Sequence, residues 1–384
     1  MRPLRICGGQ ALVEGEVRPC DLLIADGRIA ALDGPAADAR ALNARGLLVL
    51  PGIVDIHGDA FERQLQPRPG IEFPTAFALE DTERQLLANG ITTAYHGITL
   101  SWEPGLRGID AWRAVLDALA ARQWACDMRA HLRWEAYNLD ALDMALADIA
   151  AGRVKLLAFN DHTPAILRRL GDPATAVKYT ERACVSDAEF RAIADRVASR
   201  TAEVAPAQER LAAAARAAGI PMASHDDDSI ATRDAFRAQG ARICEFPMEE
   251  EIGRSARAAD DFVVMGSPNV VRGKSHLGWA SAARLAEAGI CNVLSSDYFY
   301  PCLLQAPFIL ARRGQMALPA AWDLVSANPA AAAGLADRGV IAPGRRADLV
   351  LVSVEADVPR VMATIVNGSV AHLAPGAWDA LHAG

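Results

Sequence analysis

The chain has 384 residues, 52% of them hydrophobic and 22% charged, with a formal net charge of −8. That length can bury a large core and that composition excludes a disordered chain, while the acidic balance argues against nucleic-acid binding. No apolar run reaches the roughly 18 residues of a membrane span, and seven scattered cysteines without C-x-x-C pairs read as reduced thiols in a cytoplasmic protein.

Residues 1–50 read as short strands and turns, with alternating apolar positions and a turn at Asp26-Gly27. An apolar run through Leu50 and Ile53 to Ile56 then ends in His57-Gly58-Asp59. Residues i and i+2 of a strand share a side, so His57 and Asp59 project together from its C-terminal end. Downstream, apolar strands alternate with Ala/Glu/Arg-rich stretches. The strands end near His57, His96, Glu135, His162, His225, Glu245, Gly266 to Asn269, and Asp297. Helices are predicted over 78–89, 109–123, 139–151, 186–218, 229–239 and 278–288. Eight β-α units predict an α/β fold, a (β/α)8 TIM barrel over residues 51–334, with its active site at the C-terminal strand ends. The C-terminal stretch 335–384 returns to strands, so 1–50 and 335–384 are expected to form one composite β-sandwich.

Six of the eight histidines (His57, His96, His131, His162, His225 and His276) fall within or just beyond predicted strand ends or the following loops. A hydrogen-bonded structural role is the plain alternative for any one of them; jointly they point to metal binding. His57, Asp59 and Asp297, from strands that adjoin on closure, can meet at one divalent cation, and His162 with His225 can hold a second. Lys155 begins its strand, about 20 Å from the strand end at roughly 3.3 Å per residue, so it cannot bridge them as a carbamate. Glu135 is the expected bridge and Glu245 its rival. The mixed shell suits two zinc ions, with manganese or nickel open. Such cations lower the pKa of water toward about 7 and polarise an electrophile, with Asp297 taking the proton, so the expected chemistry is hydrolysis. Arg63 and Arg133 follow strands one and three. Arg272, Lys274 and His276 share a loop whose composition suits phosphate oxygens, and the expected substrate is phosphorylated. An exposed basic loop is the alternative.

Together these stretches resemble the amidohydrolase superfamily and, within it, the α-D-ribose 1-methylphosphonate 5-triphosphate diphosphatase family of the carbon–phosphorus lyase pathway. The resemblance runs through LPGIVDIHGD (50–59), HLRWE (131–135), NDHTP (160–164), ASHDD (223–227), GSPNVVRGKSH (266–276), SSDYFYP (295–301) and DRGVIAPGRRADLVL (337–351). It implies metal ligation by His57, Asp59, His225 and Asp297, with Glu135 and His162. It also implies hydrolysis between the α and β phosphates of a ribose 5-triphosphate, releasing pyrophosphate. A homodimer acting on a small phosphorylated sugar phosphonate is expected, with no nucleic-acid or membrane partner. Where members of that family carry His-Thr-Asp-Asn-Leu-Glu, this chain has His57-Gly58-Asp59-Ala60-Phe61-Glu62. Gly58 points away from the ligands, leaving metal binding intact, whereas Ala60 removes an amide near the substrate. A cyclic amidohydrolase or deacetylase acting on a C–N bond is the second reading, and a non-catalytic scaffold the third.

Overall fold

The computed structural model describes residues 2–34, 38–273 and 281–382. Eight parallel strands form the central sheet: β1 Ile53–Gly58, β2 Ile91–Leu100, β3 Asp127–Glu135, β4 Val154–Asn160, β5 Met222–His225, β6 Ile243–Glu245, β7 Phe262–Gly266 and β8 Val293–Ser295. Each pairs with its sequence neighbour, and a parallel bridge between Gly58 and Asp297 joins β1 to the residues after β8. The sheet therefore wraps into a barrel, as the β-α rhythm predicts. Ile56, Tyr95, Leu156, Ala158, Ala223, Ile243, Val264 and Val293 pack together as buried side chains of the sheet, so the barrel is a filled core.

Helices separate the strands, and two depart from expectation. The long helix predicted over 186–218 is two helices, Asp187–Ala198 and Thr201–Ala217. At the break, Ser199 Oγ donates to the Arg196 carbonyl and Thr201 Oγ1 to the Ala198 carbonyl, so hydroxyls take over acceptors at the helix end. Strand β7 stops at Gly266, and Ser267–Arg272 turns into a short helix with a proline in its first turn. His96 is also displaced from its expected position. Strand β2 continues to Leu100, which leaves His96 buried within it with its ring against Phe61.

The terminal segments build a separate β domain. One sheet runs Arg28–Leu32, Leu22–Ala25, Leu4–Cys7, Arg40–Asn43. The other runs Ser369–Leu373, Val358–Val366, Leu349–Glu355, Leu48–Pro51, Gln10–Val13, Glu16–Pro19. Leu48–Pro51 pairs with Leu349–Glu355, so the two ends of the chain interlock, and Ile6, Leu22, Ile29, Val49, Leu349 and Leu351 share one core. Arg338 ties this part to the barrel: its Nη1 donates to Asp127 Oδ2 at 2.7 Å and to Thr93 Oγ1 at 2.8 Å. Among the described residues, no helix is long and apolar enough to cross a membrane.

Candidate metal centre

The C-terminal strand ends gather the candidate ligands. Strand β1 carries a register irregularity between Asp55 and Gly58, which breaks strict alternation just before the His57-Gly58-Asp59 run. At that point the Asp297 amide donates to the His57 carbonyl, and the Asp59 amide donates to the Asp297 carbonyl. Gly58 is a tight spot. A Cβ there would lie 2.7 Å from both Asp55 Oδ2 and Ser296 Oγ. Asp55 accepts from Ser296 Oγ at 2.5 Å and from the backbone amides of Ser296 and His57, clamping β1 to β8 beneath the site.

Two clusters could each hold an ion. In the first, His57, His131 and Glu245 each offer an atom within 4.8 Å of the others, and all three residues are buried. In the second, His162, His225 and Asp226 do the same. The rings of His57 and His225 stack with centroids 5.3 Å apart, so the clusters adjoin. Glu245 stands between them, with Oε2 lying 3.0 Å from His57 Nδ1 and 3.2 Å from His225 Nδ1.

The donor set fits divalent cations. His57 Nδ1, His131 Nε2 and Glu245 Oε1 are buried without a hydrogen-bond partner, the 3.0 Å approach of His57 to Glu245 being too poorly aligned to count as one. Three converging orphan atoms are costly unless something coordinates them. Burial pushes His57 and His131 down to about 3 and His225 lower than usual, so their imidazoles are neutral and carry lone pairs. Burial pushes the Glu245 carboxyl up to about 7, as expected of a carboxylate awaiting a counter-charge.

The other candidates take these places. Glu135 is committed to His162, accepting from Nδ1 at 2.5 Å and from the backbone amide at 3.2 Å. Burial works against the charge on His162, but Glu135 and Asp226 together outweigh it and hold His162 up to about 9, so a cation in the second cluster would take the place of its proton. Asp59 and Asp297 lie beside the two clusters and belong to neither. Asp59 Oδ2 is 3.4 Å from Arg133 Nη1, and Asp297 is pushed up to about 7 by burial and then by Asp59. Arg133 is buried, donates to Asp59, and places Nη2 3.1 Å from His225 Nε2. Gly97 makes room for it, since a Cβ there would lie 3.1 Å from Arg133 Cδ. Arg63 and Arg272 are exposed and converge on Tyr298, next to Asp297. The Arg63 guanidinium lies 5.9 Å from the ring centroid, and Arg272 Nη1 donates to the hydroxyl at 3.3 Å. Lys274 and His276 lie outside the described residues.

Sequence reasoning did not assign His131 or Asp226 as ligands. His131 was within reach, since it shares a period-two row with Arg133 and Glu135 on β3. Asp226 adopts a positive φ of 56°, a local turn that no spacing rule announces.

A cavity of about 700 Å³ opens beside the second cluster, lined by Glu135, His162, His225 and Asp226 on one side. The helices Thr163–Arg169 and Pro173–Ala183 contribute Arg168, Arg169 and Tyr179 to its other walls.

The sequence matches the amidohydrolase family model over residues 48–372. It is 31% identical over 351 residues to the α-D-ribose 1-methylphosphonate 5-triphosphate diphosphatase of Escherichia coli (strain K12), covering 88% of this chain and 92% of that protein. An adenine deaminase of Methylobacterium nodulans is 27% identical over 360 residues, covering 89% of this chain and 53% of that protein. Among solved structures, the dihydropyrimidinase of Brevibacillus agri superposes with a TM-score of 0.61 at 14% identity, covering 96% of this chain and 94% of that one, a likeness of fold.

Proposed function

The chain belongs to the amidohydrolase family and is a hydrolase, and we propose that it cleaves the α–β phosphoanhydride of α-D-ribose 1-methylphosphonate 5-triphosphate, or a close analogue, releasing pyrophosphate. The observation that carries this reading is the identity to the diphosphatase, which extends over 88% of the chain.

The residues at the strand ends support it. The clusters His57, His131, Glu245 and His162, His225, Asp226 would hold divalent cations, with zinc the first choice for such donors. Bound there, a cation supplies Lewis-acid polarisation of a phosphoryl oxygen and acidifies water. The chain's own groups do the rest. Arg133 places a buried positive charge between Asp59 and His225, where charge develops on the α phosphoryl oxygens. Arg63 and Arg272, joined through Tyr298, receive the leaving pyrophosphate. Asp297, held at the barrel seam, accepts the proton of the attacking water at its carboxylate.

The adenine deaminase relative favours a second reading, hydrolysis at a C–N bond. Arginine substitution separates the two. Arg272→Ala and Lys274→Ala should cripple phosphoanhydride hydrolysis and largely spare hydrolysis of a neutral amide or amidine. The assay offers the metal-loaded protein the sugar-phosphonate triphosphate, a nucleoside triphosphate, adenine and N-acyl compounds. Pyrophosphate from the first alone supports the proposal, and turnover of the C–N substrates alone overturns it.

A further inference from the structure

The site carries a second bank of arginines, on the walls of a cavity that Arg63, Arg272 and Tyr298 do not line. Helix Thr163–Arg169 starts directly after His162 and ends in Arg168 and Arg169. At about 1.5 Å rise per residue, their backbones stand roughly 9–10 Å along the helix from the metal-cluster end. Both line the 700 Å³ cavity and both are exposed. Neither pairs with a carboxylate among the described residues; Arg169 donates instead to Tyr179 Oη at 3.2 Å. Five carboxylates share these walls: Glu103, Glu135, Asp161, Asp226 and Asp228. Burial and then Glu135 push Asp161 up to about 6, and three of the others are engaged elsewhere. Glu135 accepts from His162, Asp226 faces His162 and His225, and Asp228 accepts from Thr232 Oγ1.

The arginines are not what holds this helix in place. Trp102 Nε1 donates to Thr163 Oγ1 at 2.9 Å, and Ile166 and Leu170 pack into a buried cluster with Phe190 and Ala194. Two guanidiniums without carboxylate partners among the described residues, at the rim of a large cavity, are suited to an anion, which Arg binds through paired N–H donors.

The geometry points to Arg168 and Arg169 as the specificity-determining clamp for an anionic group at the end of the substrate remote from the scissile anhydride. This rests on the proposed reaction. The substrate then reaches from the strand ends, where Arg63 and Arg272 flank Tyr298 outside this cavity, into the cavity, with the triphosphate at the former and the phosphonate at Arg168 and Arg169. The enzyme selects sugars that are anionic at both ends.

The test compares the wild-type holoenzyme with the Arg168→Ala/Arg169→Ala variant on two substrates: ribose 1-methylphosphonate 5-triphosphate, and the 1-O-methyl ribose 5-triphosphate that lacks the phosphonate. The variant is expected to raise KM about 10- to 100-fold for the first, with kcat little changed, and to leave KM for the second unaltered. Equal losses on both substrates, or none on either, overturn the clamp while the reaction stands. Calorimetric titration with ribose 1-methylphosphonate 5-monophosphate reads the clamp without turnover. Binding lost in the variant, with no turnover of either triphosphate by the wild type, supports the clamp and overturns the reaction. Binding equal in both proteins overturns the clamp. A thermal melt at the wild-type temperature shows that the variant is folded.

Discussion

The backbone amide of Asp297 donates to the carbonyl of His57 at 3.0 Å, and two residues on, the Asp59 amide returns a bond of the same length to the Asp297 carbonyl. Closing the barrel and gathering the site are thus one structural event. The seam between the first and last strands is made by the backbone of residues whose side chains stand at the candidate site.

Gly58 sits in that seam, and it is where the chain departs from the His-Thr-Asp pattern. Gly58→Ala puts a methyl group against Asp55 and Ser296 at 2.7 Å, and neither can retreat without releasing the clamp between β1 and β8. We expect the variant to lose about 1–3 kcal/mol of stability, as overpacked cores do, together with most of its activity. Urea denaturation and metal analysis of the same preparation check this, and a fully stable, fully active variant would show the seam to be tolerant.

Removing metal leaves Glu245 buried without a counter-charge, and His57 Nδ1 and His131 Nε2 buried without a hydrogen-bond partner. Chelation is therefore expected to lower Tm and abolish activity, with both restored by added zinc. A site occupied at a hundred times Kd contributes about 2.7 kcal/mol. Glu245→Gln should reduce the metal content of the purified protein more than Glu135→Gln does, because Glu245 stands between both clusters whereas Glu135 is bonded to His162. Elemental analysis of the two variants decides this.

Arg133→Met removes a buried guanidinium from between Asp59 and His225. Loss of one preorganised donor predicts a fall in kcat of about 100- to 1,000-fold. Steady-state kinetics beside metal analysis separates this from loss of the ions: metal retained with kcat reduced is the expected result.

At the junction with the β domain, Asp127 accepts from Arg338 at 2.7 Å and from Arg129 at 2.8 Å. Burial raises the Asp127 pKa, but the two arginines outweigh burial and hold it down at about 2. Its folded value lies below the unfolded one of about 3.9, so the stabilisation is present above about pH 4 and lost as pH falls toward 2. Arg338→Ala leaves a partly buried carboxylate short of a partner and should cost on the order of 3 kcal/mol at neutral pH. It should also shrink the loss of stability on acidification. Denaturation of both proteins at pH 7 and pH 3 tests the sign.

Much of the fold was legible because most barrel strands are apolar runs with a polar residue at or just beyond the end, and the period of β-α alternation survives in the sequence. The location of the site followed, since His57, His225 and Asp297 stand at strand ends. Which carboxylate lies between the imidazoles did not follow. Glu135 and Glu245 both end strands, and only the register of β5 against β6, which pairs His225 with Glu245, sets that choice. His131 was legible from its period-two row with Arg133 and Glu135, but it lies inside β3, opposite Gly97, and not at the strand end where the ligands were sought. The Arg168–Arg169 wall belongs to an excursion whose path over the site no local pattern specifies.

The most direct test of the central claim is hydrolysis of the sugar-phosphonate triphosphate in isotopically labelled water, followed by phosphorus NMR of the products. Attack at the α phosphorus predicts pyrophosphate without label and a ribose 5-monophosphate carrying one labelled oxygen. Label in the pyrophosphate, or release of orthophosphate in its place, would contradict the account.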